Sequence, residues 1–317
     1  MRELVEGFLF ALQADGRTPR TVTFYKGRLS AFRQYATEKG WDDDVTGIDA
    51  HHIREFLLWT GSRTVEIRAG NGAVVYKKAK PSTAWHYYRA VKYLFNWAVD
   101  EGYLDRSPVA KVHFRLPRSG VVEPYSVGDL KRLLAVCDLD IRTRARFTGL
   151  RNKAMLLVFL DSGLRRMEMA NLSLSDMDME GRQLRVVGKG GKVRIAPFSP
   201  RTAKVLWAWL VERRRRAKTD SLWITEEGYP FHVDGLDSWF DRIKHRAGVA
   251  SRGAVHKLRH TAALAYLRQT RDPFLLQLFL GHESLEMSRR YTQGLKAEEA
   301  IAAHRNGASP VEGLGLG

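Results

Sequence analysis

The sequence predicts a mainly α-helical protein with a small antiparallel β-sheet, divided into two domains. Three observations carry this prediction. Apolar residues recur at helical spacing along most of the chain, with capping residues at the ends of the runs. Two pairs of short alternating runs meet at glycine-containing turns, the pattern of hairpins. Around residues 111–124, KVHFRLPRSGVVEP, periodicity lapses where proline, glycine and scattered base coincide, as in a linker. At 317 residues the chain is long enough for each domain to bury its own core. The expected division is a helical domain over 1–112, a linker over 113–124, a mixed α/β domain over 125–305 and a flexible tail over 306–317.

In order, Tyr25, Leu29, Phe32 and Ala36 share one face of a first long helix. Ile53, Phe56 and Leu57 mark a second after the Asp49 cap. A third carries Trp85, Tyr88, Val91, Phe95 and Ala98, beginning after Ser82 and ending at Gly102. These aromatics keep helical period, which makes them core residues. Between the second and third helices, TVEIRAGNGAVVYKKAK reads as a hairpin about Asn71-Gly72. Arg63, Arg68, Lys77, Lys78 and Lys80 stand at its ends, either to meet a polyanion or a neighbouring subunit or simply to solvate a flap.

Beyond the linker, Ser126 and Asp129 form a capping box for a helix that runs toward Cys137. Arg151, Asn152 and Lys153 fit the exposed start of a buried helix, AMLLVFLDSG. A second hairpin follows: RQLRVVG, a turn at Lys189-Gly190-Gly191, then KVRIAPF. The run from Arg213 to Arg216 closes an apolar helix, VLWAWLVE, whose negative end suits cations; polyanion contact and solvation are both open there. SLWIT, from Ser221, is extended.

The densest chemistry lies between His256 and Tyr291. His256 and Arg259, three apart at the head of a helix, share a face where an anion is favoured. Asp272 as N-cap, Pro273 and Gly281 frame a short apolar helix, PFLLQLFL, with His282 at its foot. Ser284 then caps a last helix that carries Tyr291. A phenol, two histidines and an arginine on consecutive short helices are expected to converge on one anion.

Composition agrees. The net charge is +17, with an excess of five positive charges up to Arg115 and of twelve beyond it, so both halves suit a polyanion. The single cysteine, Cys137, excludes an internal disulfide framework and suits a reducing cytoplasm. Neither a signal peptide nor a run of membrane-spanning length is present, so a soluble protein is expected. No metal-ligand spacing or Walker-type loop appears. GKGGK at 188–192 lacks that loop's spacing and sits between strands, so no cofactor is expected.

HKLRH, then LGH, then a tyrosine nine residues after His282 resemble the signature of the tyrosine recombinase family, also called the phage integrase family. Lys257, Ala262, Ser162 and Gln293 depart from its commonest wording without removing a proposed catalytic group. The resemblance implies a C-shaped clamp made of a helical, SAM-like core-binding domain and a mixed α/β catalytic domain, in a compact Xer-like or simple-integrase layout. It implies strand cleavage by Tyr291, leaving a 3′-phosphotyrosyl link and a free 5′-hydroxyl. A phenol is a weak nucleophile at neutral pH and has to be helped. Arg165 and Arg259 would clamp the phosphate oxygens, His256 would take or share the tyrosine proton, and His282 would donate to the phosphate. Lys189, or failing it Lys192, would protonate the leaving oxygen, and Glu168 would support the site.

Two strings compete for the first arginine: Thr148-Gly-Leu-Arg151 and Ser162-Gly-Leu-Arg165. The second is chosen because Arg165 follows the buried helix, has Glu168 one turn on, and precedes the hairpin. The implied partners are double-stranded DNA with inverted half-sites and three further copies of the chain, joined through 294–305, in the cytoplasm. Intramolecular packing of that segment is the other possibility. Type IB topoisomerase chemistry and a non-catalytic DNA-binding relic are the competing functions.

Overall fold

A computed structural model describes residues 1–41, 44–68, 74–115, 123–251 and 253–292. The chain divides into two compact units, Met1–Ser119 and Gly120–Gly317.

The first unit is built on α1 (Arg2–Ala14), α2 (Pro19–Glu38), α3 (Ala50–Ser62) and α4 (Pro81–Asp100). Thr18 and Asp49 cap α2 and α3 through their side chains. Leu29, Phe32, Ile53, Phe56, Val91, Leu94 and Phe95 form its core, with Phe8 of α1 packed edge-on against Tyr25. The sequence reading had not separated α1 from its surroundings. It also started α4 too late: Lys80 is the N-cap and Pro81 the first helical residue. Between α3 and α4, β1 (Thr64–Arg68) pairs antiparallel with β2 (Val74–Lys78), Thr64 opposite Lys78. The Asn71-Gly72 turn lies outside the described residues.

The second unit holds α5 (Val127–Arg142), α6 (Arg146–Ser162), α7 (Arg166–Ala170), β3 (Met177–Asp178), β4 (Gln183–Val187), β5 (Val193–Pro197), α8 (Pro200–Arg214), α9 (Val233–Arg246), α10 (His256–Thr270), α11 (Pro273–Leu280) and α12 (Leu285–Thr292). α6 is buried nearly all round, because α5, α8 and α10 pack against it. The antiparallel sheet has the order β3-β4-β5, with Val186 opposite Arg194 and Leu184 opposite Ala196. The expected hairpin is thus joined by a third, two-residue strand.

Three local expectations change. Ser126 does cap α5, but Asp129 turns to Arg132 rather than back to the cap. Arg151 lies in the interior of α6 and is buried, not exposed at its start. Arg213 is likewise buried, donating to the carbonyls of Thr219 and Ser221, so the arginine run is partly structural. Among the described residues no helix is long and apolar enough to cross a membrane. Segments 294–305 and 306–317 lie outside the described residues.

Candidate active site

The site is assembled where a helix ends, a hairpin turns and three short helices meet. α6 stops at Gly163, whose left-handed backbone (φ +56°) turns the chain sharply. Arg165 then occupies the N-cap position of α7, and Glu168 at its third residue accepts the Arg165 backbone N–H at 2.8 Å. The same carboxylate is only 5% exposed and gathers three guanidinium groups. Arg165 Nη1 lies 2.6 Å from Oε1, Arg194 Nη2 2.9 Å from Oε2, and Arg259 Nη1 3.8 Å from Oε2.

The same three arginines also grip the end of α11. Arg194 donates to the carbonyl of Phe279 (3.0 Å), Arg259 to that of Leu280 (2.9 Å) and Arg165 to that of Gly281 (3.3 Å). These consecutive carbonyls are the helix's unsatisfied, negative end, where cations are favoured. Arg259 Nη1 also reaches the carbonyl of Gly163. Gly281 is indispensable to the arrangement: its φ is +61°, and a Cβ there would meet Arg194 Cδ at 2.4 Å.

Burial pushes Glu168 up, but the Arg165 N–H and the charges of Arg194 and Arg165 outweigh it, leaving the carboxyl below its ordinary range. Burial, reinforced by the neighbouring Arg165, lowers Arg259 to about 10, so it remains charged at neutral pH.

His282 Nδ1 is 2.8 Å from Ser288 Oγ, a contact across the α11–α12 turn that sets the ring's orientation. Its ring lies parallel to that of Tyr291, 6.1 Å away, and His260 packs on Tyr291 at 4.7 Å. Tyr291 is 1% exposed. His256 is the exposed first residue of α10, three positions before Arg259. Lys189 stands in the β4–β5 turn, its side chain outside the described set. Lys192 pairs with Glu283 at 3.2 Å on the surface.

Arg165, Glu168 and Arg259 are therefore brought together, with His282 and Tyr291 on the short helices beside them. Arg151 is not among them. It donates to Ile224 O and Asn152 Oδ1, while Trp239 donates to that same Asn152 oxygen. Two residues escaped the sequence reading. In the sequence Arg194 is only one letter of a strand, and His260 only the last letter of HKLRH. In the first unit Arg63 lies over the Trp59 ring, 4.4 Å from its centroid, while Lys78 and Lys80 are exposed. The side chains of Arg68 and Lys77 lie outside the described set. Among the described residues no cluster of histidine, cysteine or carboxylate side chains could hold a metal ion.

A clustered set of arginines on one carboxylate, beside imidazoles and a phenol, is equipped to bind a phosphoryl group and stabilise charge on it. Comparison with known proteins points the same way. Tyrosine recombinase XerC 2 of Ralstonia nicotianae is 30% identical over 286 residues, covering 84% of this chain and 80% of that protein. In fold, the chain is similar to the XerH site-specific recombinase bound to palindromic difH substrate in a post-cleavage complex (TM-score 0.71, 22% identity, covering 92% of this chain and 81% of that one). It is also similar to the Tn1549 transposon integrase in complex with transposon right end DNA (TM-score 0.72, 16% identity, covering 96% and 99%). The profile of the phage integrase family matches residues 127–298, and the chain belongs to that family.

Proposed function

We propose that this protein is a site-specific DNA recombinase that cleaves and rejoins strands through a 3′-phosphotyrosyl intermediate on Tyr291. The observation that carries the reading is the convergence of Arg165 and Arg259 on the buried Glu168, beside the stacked His282 and Tyr291. Arg165 and Arg259 bind the non-bridging oxygens of the scissile phosphate, where fixed guanidinium donors oppose the charge that builds in the transition state. His282 donates to the same phosphate, and His256 takes the tyrosine proton. Lys189 protonates the departing 5′ oxygen. Tyr291 is buried, so α12 has to present its hydroxyl to the DNA before attack.

Residues 1–112 act as the core-binding domain and 125–305 as the catalytic domain, joined by 113–124, and both basic halves hold duplex DNA at inverted half-sites. Arg63, Arg68, Lys77, Lys78 and Lys80 add phosphate contacts from the β1–β2 hairpin. Four protomers act on two duplexes, each passing segment 294–305 to its neighbour.

A library of nicked duplexes of randomised sequence tests the chemistry. Wild-type chain should capture a subset as adducts that survive denaturation, and the captured duplex then serves as substrate. Tyr291→Phe should bind that duplex with wild-type affinity and form no adduct, since only the hydroxyl is lost. An undiminished adduct in Tyr291→Phe, or no adduct with the wild type, overturns the reading.

A further inference from the structure

α10 begins without the usual device. Its N-cap residue is Val255, whose apolar side chain makes no cap hydrogen bond. The N–H groups of Lys257 and Leu258 reach back three residues instead, to the carbonyls of Ala254 and Val255, each at 2.9 Å. A helix start of this kind takes its position from whatever holds the preceding loop.

Here the described residues of that loop are held by Tyr125, Lys244 and Lys257. The Tyr125 phenol donates to the carbonyl of Gly253 at 2.9 Å, which also accepts from Lys244 at 3.0 Å. The Tyr125 backbone N–H donates to Thr261 Oγ1 (2.9 Å), and that hydroxyl donates to the Lys257 carbonyl (2.8 Å). The Lys257 ammonium lies 4.6 Å from the centre of the Tyr125 ring and donates to Ser251 Oγ. Gly253 permits this closeness: its φ is +132°, and a Cβ would come within 2.7 Å of Lys257 Cδ. Tyr125 is 3% exposed and its ring meets Phe240 edge-on, so it is itself fixed. Tyr125 and Lys257 thus tie Gly253 and Ser251 to the first turns of α10.

We propose that Tyr125 and Lys257 are positioning residues for His256, fixing the loop before α10 and thereby the placement of the imidazole at its first residue. This rests on the role given to His256 above. Neither residue touches the reacting atoms, so their effect runs through the geometry of proton transfer, where displacements of an ångström are costly.

Two variants separate this from general stability. Tyr125→Phe keeps the ring and removes the Gly253 bond; Lys257→Met keeps the stem and removes the charge. Single-turnover cleavage of the captured duplex is measured for each, alone and combined with His256→Ala, alongside duplex affinity. Each variant is expected to slow cleavage about ten-fold when His256 is present. In the His256→Ala background the further loss should be under about two-fold, because the two changes act through one group. Affinity should be unchanged. Wild-type rates in both single variants, or equal losses with and without His256, would overturn the proposal. If His256→Ala itself cleaves at the wild-type rate, it is the role of His256 that fails, and the inference with it.

Discussion

Arg151 and Arg165 follow almost the same three letters, yet the fold treats them in opposite ways. Thr148-Gly149-Leu150 lies inside α6, where Gly149 lets the helix press against the end of α5; a Cβ there would sit 2.7 Å from the Ile141 nitrogen. Arg151 is consequently buried, donating to the Ile224 carbonyl and the Asn152 side-chain oxygen, with Phe231 against its guanidinium. Ser162-Gly163-Leu164 ends the same helix. Gly163 turns the chain, and Arg165 emerges at a cap position against a carboxylate, with a third of its side chain exposed. One glycine serves close packing and the other a change of direction. Of these two arginines, the one beside the helix end faces the cluster, and the one the helix continues past is held in the packing.

The comparison is most directly broken by Arg165→Ala. Cleavage of the captured duplex should fall by about a hundred- to a thousand-fold, as when a transition-state donor is removed, while the melting temperature changes little. A loss of stability with normal cleavage would put Arg165 in the structural class. Arg151→Ala should do the opposite. It strands buried polar groups and leaves a cavity, costing about 3 kcal/mol of stability by denaturant titration, with near-normal cleavage by the molecules that remain folded. The sequence reading expected no more than the loss of a surface charge there; burial reverses that expectation.

The smallest effect separates the two sites by pH. Glu168 is held below its ordinary range in the folded chain, so its contribution is complete above the unfolded value of about 4.3 and lost as pH falls through the lower folded value. Acid titration of stability should therefore show a loss beginning near pH 4 that Glu168→Gln removes and Asn152→Ala leaves in place. An identical acid profile in Glu168→Gln would show that the carboxylate does not stabilise the arginine cluster.

The helical framework was legible because caps and period agree: Asp49, Ser126, Asp272, Pro273 and Gly281 all stand where their chemistry places a helix end. The triad of Arg165, Glu168 and Arg259 was legible through local spacing and through the likeness of its motifs. Arg194 was not, and the reason is physical. In KVRIAPF the apolar Val193 and Ile195 face solvent, about half exposed, while Arg194 and Ala196 face inward opposite Val186 and Leu184. A period-two reading puts valine and isoleucine inside, and only the distant Glu168 and the missing side chain of Gly281 make the reverse orientation favourable. The signal was the register, since Arg194 shares its parity with Ala196 across from two buried residues. The burial of Arg151 and Arg213 is hidden for a related reason: Arg151 donates to the carbonyl of the distant Ile224 and Arg213 to those of Thr219 and Ser221 just beyond its helix, and backbone acceptors leave no trace in the residue pattern.

The grip of three arginines on one carboxylate has a consequence for how the site distinguishes states of the same phosphate. Three guanidinium groups against Glu168 give that cluster by itself a net charge of +2. A resting phosphodiester brings one negative charge, and half the surplus persists. On the proposed mechanism the group carries two as the phenolate oxygen adds to phosphorus, and only then does its charge match that of the arginine–carboxylate cluster. The match in charge falls on the fleeting species rather than on the bound substrate, which is the condition under which binding energy appears as rate.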